Sequence, residues 1–107
     1  MICTSLAVCL ADVSSSSSWQ VVAERQFVKD LRCLNMEILR RVFRAIHKIA
    51  KSMGAYPNRT IIAVKNSDGV MRYRVGERRL LFIPNNDTHQ IRLVSFCGRD
   101  VCYTRNR

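Results

Sequence analysis

A chain of 107 residues with a formal net charge of +10 is long enough for one domain with a single modest core. The 48% of apolar and 24% of charged residues are typical of a soluble globular protein, and no apolar run reaches the roughly 18 to 20 residues that cross a bilayer. The 18 basic against 8 acidic side chains predict a partner with many negative charges. Nucleic acid and an acidic protein are favoured over a merely solubilising surface because the arginines cluster.

The cysteine and histidine positions predict neither a disulfide framework nor a metal site. Five cysteines form no C-x-x-C pair, and the odd count leaves one unpaired in any disulfide scheme. With only His47 and His89, at distant positions, there is no zinc-ligand spacing, so we expect no metal and no other cofactor. The cysteines are interpreted as small apolar core groups in a protein of the reducing cytoplasm.

The first 18 residues have an unusual composition, in which a short apolar run, Leu6 to Ala11, precedes five consecutive serines. A secretory signal is disfavoured because no basic residue precedes the apolar run. We expect residues 1–18 to be a disordered, Ser-rich leader, which a start codon assigned too far upstream would explain. The folded domain is then predicted over residues 19–107.

The first elements of that domain are a strand and two helices. Trp19 to Val22 is rich in strand-forming residues. Ala23 to Leu34 and Met36 to Met53 carry apolar residues at helical spacing, with Asn35 as a cap between them. The second helix also has five cations, which are either a solvated face or a second phosphate-contacting surface: Arg40, Arg41, Arg44, Lys48 and Lys51.

The remaining segments predict strands. After a strand at Ile61 to Val64, a three-stranded antiparallel meander is predicted, with turns at Gly76 and at residues 84–87. Its strands are Val70 to Val75, Arg79 to Ile83 and Gln90 to Phe96. The order predicts an α+β domain, with two N-terminal helices on one face of a small, mainly antiparallel sheet of four to five strands.

The first strand of the meander carries basic residues on one face. Arg72 and Arg74 are two residues apart and therefore share a face, while Tyr73 and Val75 occupy the other. The helices cover one sheet face, so the opposite face is predicted to be partly polar and to carry the two arginines. Lys65 is a further candidate for substrate contact or proton transfer, with a plain surface lysine as the alternative.

This order of elements resembles the RelE-like toxins of bacterial and archaeal toxin–antitoxin pairs, which belong to the RelE/ParE superfamily. The resemblance is carried by Arg-Tyr-Arg-Val-Gly-Glu-Arg-Arg-Leu-Leu-Phe and by the closing Gly-Arg-Asp-Val-Cys-Tyr, and it extends from about Trp19 to Tyr103. It implies a ribosome-dependent mRNA endonuclease that cleaves the codon in the ribosomal A site. It also implies a cognate antitoxin, expected to be acidic, that wraps around the toxin and silences it.

The resemblance also implies roles for individual residues. The family's two basic residues before the glycine turn fall on Arg72 and Arg74, its next arginines on Arg79 and Arg99, and its terminal aromatic on Tyr103. The best-studied members have lysine where this chain has Arg72 and Arg74, and they continue into a further C-terminal helix. An arginine has a pKa above about 12 and cannot readily give up a proton, so these two positions supply no lysine base.

Metal-free RNA cleavage needs chemistry that these residue types can support. The 2′-hydroxyl attacks the adjacent phosphorus, and arginine forks neutralise the charge that develops on the phosphate oxygens. We assign this role to Arg79 and Arg99, while Arg72 and Arg74 hold the flanking backbone. Tyr103 stacks on a base or exchanges a proton with the attacking or leaving oxygen, and the alternative is that it packs on the rim of the sheet.

Three alternatives remain open at the level of sequence. ParE-type relatives share the fold and inhibit DNA gyrase, although they do not need this basic and aromatic set. A small RNA- or ribosome-binding module without catalysis would carry a similar arginine cluster. A decayed, inactive toxin is the third.

Overall fold

The computed structural model describes residues 2–16, 19–32, 34–52, 61–63 and 69–98. Within these ranges lie three helices and five strands. In chain order they are α1 (Ile2–Ser16), β1 (Gln20–Ala23), α2 (Arg25–Leu31), α3 (Met36–Ser52), β2 (Ile61–Ala63), β3 (Met71–Val75), β4 (Arg78–Asn85) and β5 (Gln90–Gly98).

The five strands form one mixed sheet in the order β1-β5-β4-β3-β2. Strand β1 runs parallel to β5, whereas the other three pairings are antiparallel. One hydrophobic core joins the helices to a single face of this sheet, where Tyr73, Leu80 and Phe82 are buried. The predicted α+β class, with helices against one face of a mainly antiparallel sheet, is confirmed.

The N-terminal segment differs from the predicted disordered leader. Residues Ile2–Ser16 are helical, and Leu6, Cys9 and Val13 are buried in the main core. These residues recur every three to four positions and so form one apolar stripe on a helix. The hydroxyl oxygen of Ser14 accepts a hydrogen bond from the backbone N–H of Val21 at 3.2 Å, so the serine run itself starts inside the folded structure.

Helix α3 matches its prediction most closely. The side chain of Asn35 caps it, since its Oδ1 accepts a hydrogen bond from the backbone N–H of Ile38 at 3.0 Å. Its buried stripe faces the sheet and comprises Leu39, Val42, Ala45, Ile46, Ile49 and Ala50. On its flank, His47 Nε2 lies 3.5 Å from Asp12 Oδ2, which ties α3 to α1.

Strand β5 contains a bulge that Asp30 helps to accommodate. Leu81 pairs with Ser95 but its neighbour Phe82 pairs with Leu93, which leaves an extra residue in β5 between those partners. Beyond Leu93 the parallel partner β1 has ended, and the backbone N–H of Phe96 donates instead to Asp30 Oδ2 at 2.9 Å. The carboxylate therefore replaces a missing strand partner and fixes α2 on the sheet.

The two hairpin turns differ in how well the sequence predicts them. Gly76 has a φ of 63° and follows Val75, which pairs with Arg78, so the predicted glycine turn is confirmed as a two-residue hairpin. The second turn lies later than predicted, because Pro84 and Asn85 belong to β4. Pro84 is tolerated there because β3 pairs with β4 only as far as Phe82. At Pro84 the β3 side of the strand therefore has no described partner that would need a backbone N–H, which proline lacks.

The sequence predicts that the cysteines are unpaired apolar core groups, and this holds for Cys9 but not for Cys97. Cys97 is disulfide-bonded, which corrects that prediction. Cys9 is a free buried thiol, and burial, with a smaller contribution from nearby Asp12, raises its pKa from 9.0 to about 11. Among the described residues, no helix is long and apolar enough to cross a membrane.

Candidate nucleic-acid interface

The pairing of β3 with β4 brings three of the predicted arginines together. Arg74 is directly opposite Arg79, and Arg72 is opposite Leu81, one position further along the same face. Directly paired residues have Cβ atoms about 4.5–5.5 Å apart, and diagonal neighbours about 7–8 Å apart. Arg72, Arg74 and Arg79 therefore form one arginine patch on the sheet face opposite the helices.

The arginine patch lies beside a small apolar cluster on the same face. Leu81 and Cys97 are buried there, and Ser95, which pairs with Leu81, is only 1% exposed. Arg72 and Arg79 are half-buried while Arg74 is exposed. Apolar neighbours strengthen electrostatic interactions by lowering the local dielectric, so an anion held at this patch would be attracted more strongly than at a fully hydrated surface.

Like charges directly opposite in a sheet are destabilising, and Arg74 and Arg79 form such a pair. An anion between the two guanidinium groups would relieve their repulsion. One nitrogen of Arg74 is already committed, because Nε donates to the backbone carbonyl of Gly76 at 3.0 Å. This hydrogen bond fixes the start of the side chain at the hairpin turn and leaves the two terminal nitrogens outside that contact.

A second cationic feature lies between α3 and β3 and is called here the basic groove. Its volume is about 170 Å³, and it is lined by Arg41, Arg44, Ala45, Lys48, Tyr73, Arg74 and Val75. Within the described residues, β2 pairs with β3 from Met71 to Tyr73. Arg74 is a member of the arginine patch and also one of the residues that line the basic groove.

Tyr73 is the aromatic residue among those that line the basic groove. The residue is 9% exposed, and burial raises the pKa of its hydroxyl above the ordinary value of 10.0. The group therefore stays protonated at neutral pH. The sequence places Tyr73 on the core face of β3, which is confirmed, but it gives no sign that this side chain would meet cations of α3.

The remaining predicted site residues are not described by the structure. Arg99, Tyr103 and Lys65 lie outside the described residues, so their roles stay predictions. Of the five α3 cations, Arg41, Arg44 and Lys48 line the groove, whereas Arg40 and Lys51 are exposed and do not line it. The spacing of 41, 44 and 48 indicates a shared helix face, but Lys51 continues the same spacing, so the spacing alone does not single out the groove residues. Within the described ranges, no group of three His, Cys, Asp or Glu side chains is placed to hold a metal ion.

The sheet order, the helices and the glycine hairpin together define a RelE-like α+β domain. Neither a protein-family model nor a curated protein sequence matches the chain. Solved structures do share its fold.

Three of these structures are RelE proteins, alone or in complexes. A RelB-RelE antitoxin-toxin complex from Methanococcus jannaschii matches with a TM-score of 0.62 and 24% identity, covering 80% of this chain and 99% of that chain. An archaeal RelE-RelB complex from Pyrococcus horikoshii OT3 matches with a TM-score of 0.59 and 19% identity, covering 76% and 94%. The isolated E. coli RelE toxin matches with a TM-score of 0.57 and 10% identity, covering 79% and 90%. The chain has the fold of RelE toxins over nearly their whole length.

Proposed function

We propose that this chain is the toxin of a toxin–antitoxin pair and that it cleaves mRNA on the ribosome. The observation that carries the proposal is the cross-strand pair of Arg74 and Arg79, with Arg72 beside it on one sheet face of a RelE-like fold. Like charges directly opposite in a sheet repel each other, and a bound phosphate would offset that repulsion. The net charge of +10 is consistent with a polyanionic substrate.

The proposed reaction uses the RNA's own nucleophile. The 2′-oxygen forms a bond to the adjacent phosphorus as the bond to the 5′-oxygen breaks, and the 2′-proton is ultimately balanced by a proton on the leaving 5′-oxygen. The products are a 2′,3′-cyclic phosphate and a free 5′-hydroxyl. Arg79 and Arg99 stabilise the additional negative charge of the transition state, while Arg72 and Arg74 hold the flanking phosphates.

Proton transfer is the weak part of this residue set. Arginine does not act as a base near neutral pH, which leaves Tyr103 as the proposed group for stacking or proton exchange and Lys65 as a lesser candidate. An enzyme that stabilises charge well but has weak acid–base groups gains most in rate when its substrate is already positioned, here by the ribosome. The proposal therefore includes dependence on the ribosome and slow cleavage of free RNA.

An acidic, cognate antitoxin is the proposed regulator, and the cytoplasm is the proposed location because the proposed substrate is mRNA on the ribosome. A partly disordered acidic chain that folds over this surface would neutralise the arginine patch and block RNA access. The M. jannaschii structure is a RelB-RelE antitoxin-toxin complex, which supports a partner of that kind.

Induction in bacterial cells, followed by mapping of mRNA 5′ ends, tests the proposed function. Wild-type protein is expected to arrest growth and to create new 5′ ends inside translated frames within minutes. Arg79→Ala is expected to reduce cleavage about 10²- to 10³-fold because a transition-state donor is lost. Arg40→Ala is the matched control, since it removes an exposed arginine from α3 outside the basic groove.

The same cultures separate the competing functions. Intact transcripts with loss of DNA supercoiling would contradict the proposal in favour of a gyrase inhibitor. Intact transcripts that still bind the protein would contradict it in favour of a non-catalytic binding module.

A further inference from the structure

We propose that the basic groove is a second phosphate site, which binds the backbone of single-stranded RNA beyond the nucleotide held at the arginine patch. The inference rests on the proposed function only in taking the same RNA as the ligand. It adds Arg41, Arg44, Lys48 and Tyr73 as binding residues that lie on the helix side of the molecule.

The cations of the groove are arranged along one line of α3. Residues 41, 44 and 48 recur at three- and four-residue intervals, so they face the same direction over about two turns, or roughly 10 Å. All three are exposed, and all three line the groove. Arg41 also lies 3.4 Å from Glu37, but both side chains are more than half exposed, and such a pair is weak enough to yield to a phosphate.

The opposite wall supplies a different set of donors. It includes Tyr73, whose phenol is protonated at neutral pH, and Arg74, whose Nε donates to the Gly76 carbonyl. Phosphate oxygens accept well from both groups, and an arginine fork can donate two parallel hydrogen bonds. The groove, of about 170 Å³, is thus lined by a lysine ammonium group, by arginines that can donate paired hydrogen bonds, and by a tyrosine.

Arg74 makes the groove continuous with the arginine patch. Its partner across the sheet is Arg79, and the residue also lines the groove together with Lys48 and Arg44. A polymer with a charge on every unit can occupy both features at once. This continuity favours RNA over an acidic protein, whose carboxylates need not follow a path from one sheet face to the helix side.

The test is RNA binding as a function of salt, with matched variants of α3. The probe is a short, fluorescently labelled 2′-O-methyl oligouridylate, which has no free 2′-hydroxyl and stays uncleaved. Arg44→Gln and Lys48→Gln are each expected to lower affinity at low salt by roughly 3- to 10-fold, and to reduce the slope of log affinity against log salt by about 0.7. Arg40→Gln removes an exposed arginine of α3 that does not line the groove, and it is expected to leave both quantities close to wild type.

A charge-conserving variant and a folding check separate loss of charge from loss of structure. Arg44→Lys retains the charge and is expected to restore most of the slope, and circular dichroism checks that each variant is folded. Equal affinities for groove and control variants would overturn the inference. Groove variants that lose binding to a poly-glutamate peptide but keep RNA binding would also overturn it, in favour of an acidic protein ligand.

Cleavage of translated mRNA by the wild-type chain is measured in parallel. If cleavage occurs but the groove variants bind RNA like their controls, only this inference fails. If cleavage is absent but the groove variants still lose RNA affinity, the proposed function fails and the second phosphate site stands.

Discussion

At the scale of single residues, the arginine patch follows from two local features of the sequence. The two-residue spacing puts Arg72 and Arg74 on one face, and the two-residue turn at Gly76 sets Arg74 opposite Arg79. Both features can be recognised in the amino-acid sequence alone. The basic groove cannot, because it depends on how α3 packs beside β3, which no local pattern contains.

Arg79→Lys tests whether charge alone accounts for the proposed role of this residue. Lysine retains the positive charge but loses the planar fork that meets two phosphate oxygens. We expect cleavage of translated mRNA to fall between wild type and Arg79→Ala, as measured by primer extension on a reporter transcript. Full activity of the lysine variant would contradict a role that needs the fork.

The buried thiol of Cys9 predicts a specific alkaline loss of stability. Its pKa is about 11 in the folded chain against 9.0 as the ordinary value, so folding favours the protonated thiol. The difference has no effect below pH 9 and destabilises the fold progressively as pH rises from about 9 to 11. Urea unfolding at pH 8 and pH 10.5 should show a larger alkaline loss for wild type than for Cys9→Ala. Equal losses would contradict a buried, protonated thiol.

At the scale of elements, the glycine hairpin sets the register of the arginine patch. A side chain at position 76 would have to adopt a φ of 63°, although its Cβ would meet only Arg41 Nη1 at 3.8 Å. Gly76→Ala should therefore cost about 1 to 2 kcal/mol through backbone strain and not through a clash. Gly98→Ala is the control, because that glycine has no positive φ and its Cβ would meet nothing within 4 Å. Urea unfolding of both variants checks the difference, and equal stabilities would contradict it.

The elements themselves are well predicted where their periodicity is strong. Helix α3 starts at the predicted residue and is described to Ser52, while the predicted last residue, Met53, lies outside the described residues. Strand β5 extends two residues beyond its predicted end because the bulge near Ser95 changes the alternation of its side chains. The predicted turn at residues 84–87 was wrong in its position, since a proline is compatible with a strand that has lost its neighbour on one side.

At the scale of the whole molecule, the packing of α1 is the main difference from prediction. The apolar run Leu6 to Ala11 is short, and the serines that follow it are typical of linkers, so the local pattern favoured disorder. Only the assembled core shows that α1 covers apolar surface beside β1 and α3. The parallel pairing of β1 with β5 is likewise a long-range feature that no local pattern contains.

Paired substitutions in α1 test whether this helix is part of the fold. Leu6 is 3% exposed and Val8 is 65% exposed. Leu6→Ala should lower the free energy of unfolding by about 2 to 5 kcal/mol through loss of buried contacts, whereas Val8→Ala should change it little. Thermal or urea unfolding measures both. If Leu6→Ala left the free energy of unfolding unchanged, α1 would not be part of the stable fold, and residues 1–18 would be a leader as the sequence predicted.

The central claim is that the arginine patch cleaves mRNA held by the ribosome, and a purified translation system tests it most directly. Wild-type protein should cut the translated message and leave 2′,3′-cyclic phosphate and 5′-hydroxyl ends. Cleavage should fall about 10²- to 10³-fold for Arg79→Ala and remain at the wild-type rate for Arg40→Ala. The same message without ribosomes should be cut far more slowly. Equal cleavage of free and translated RNA, or full activity of Arg79→Ala, would contradict the account.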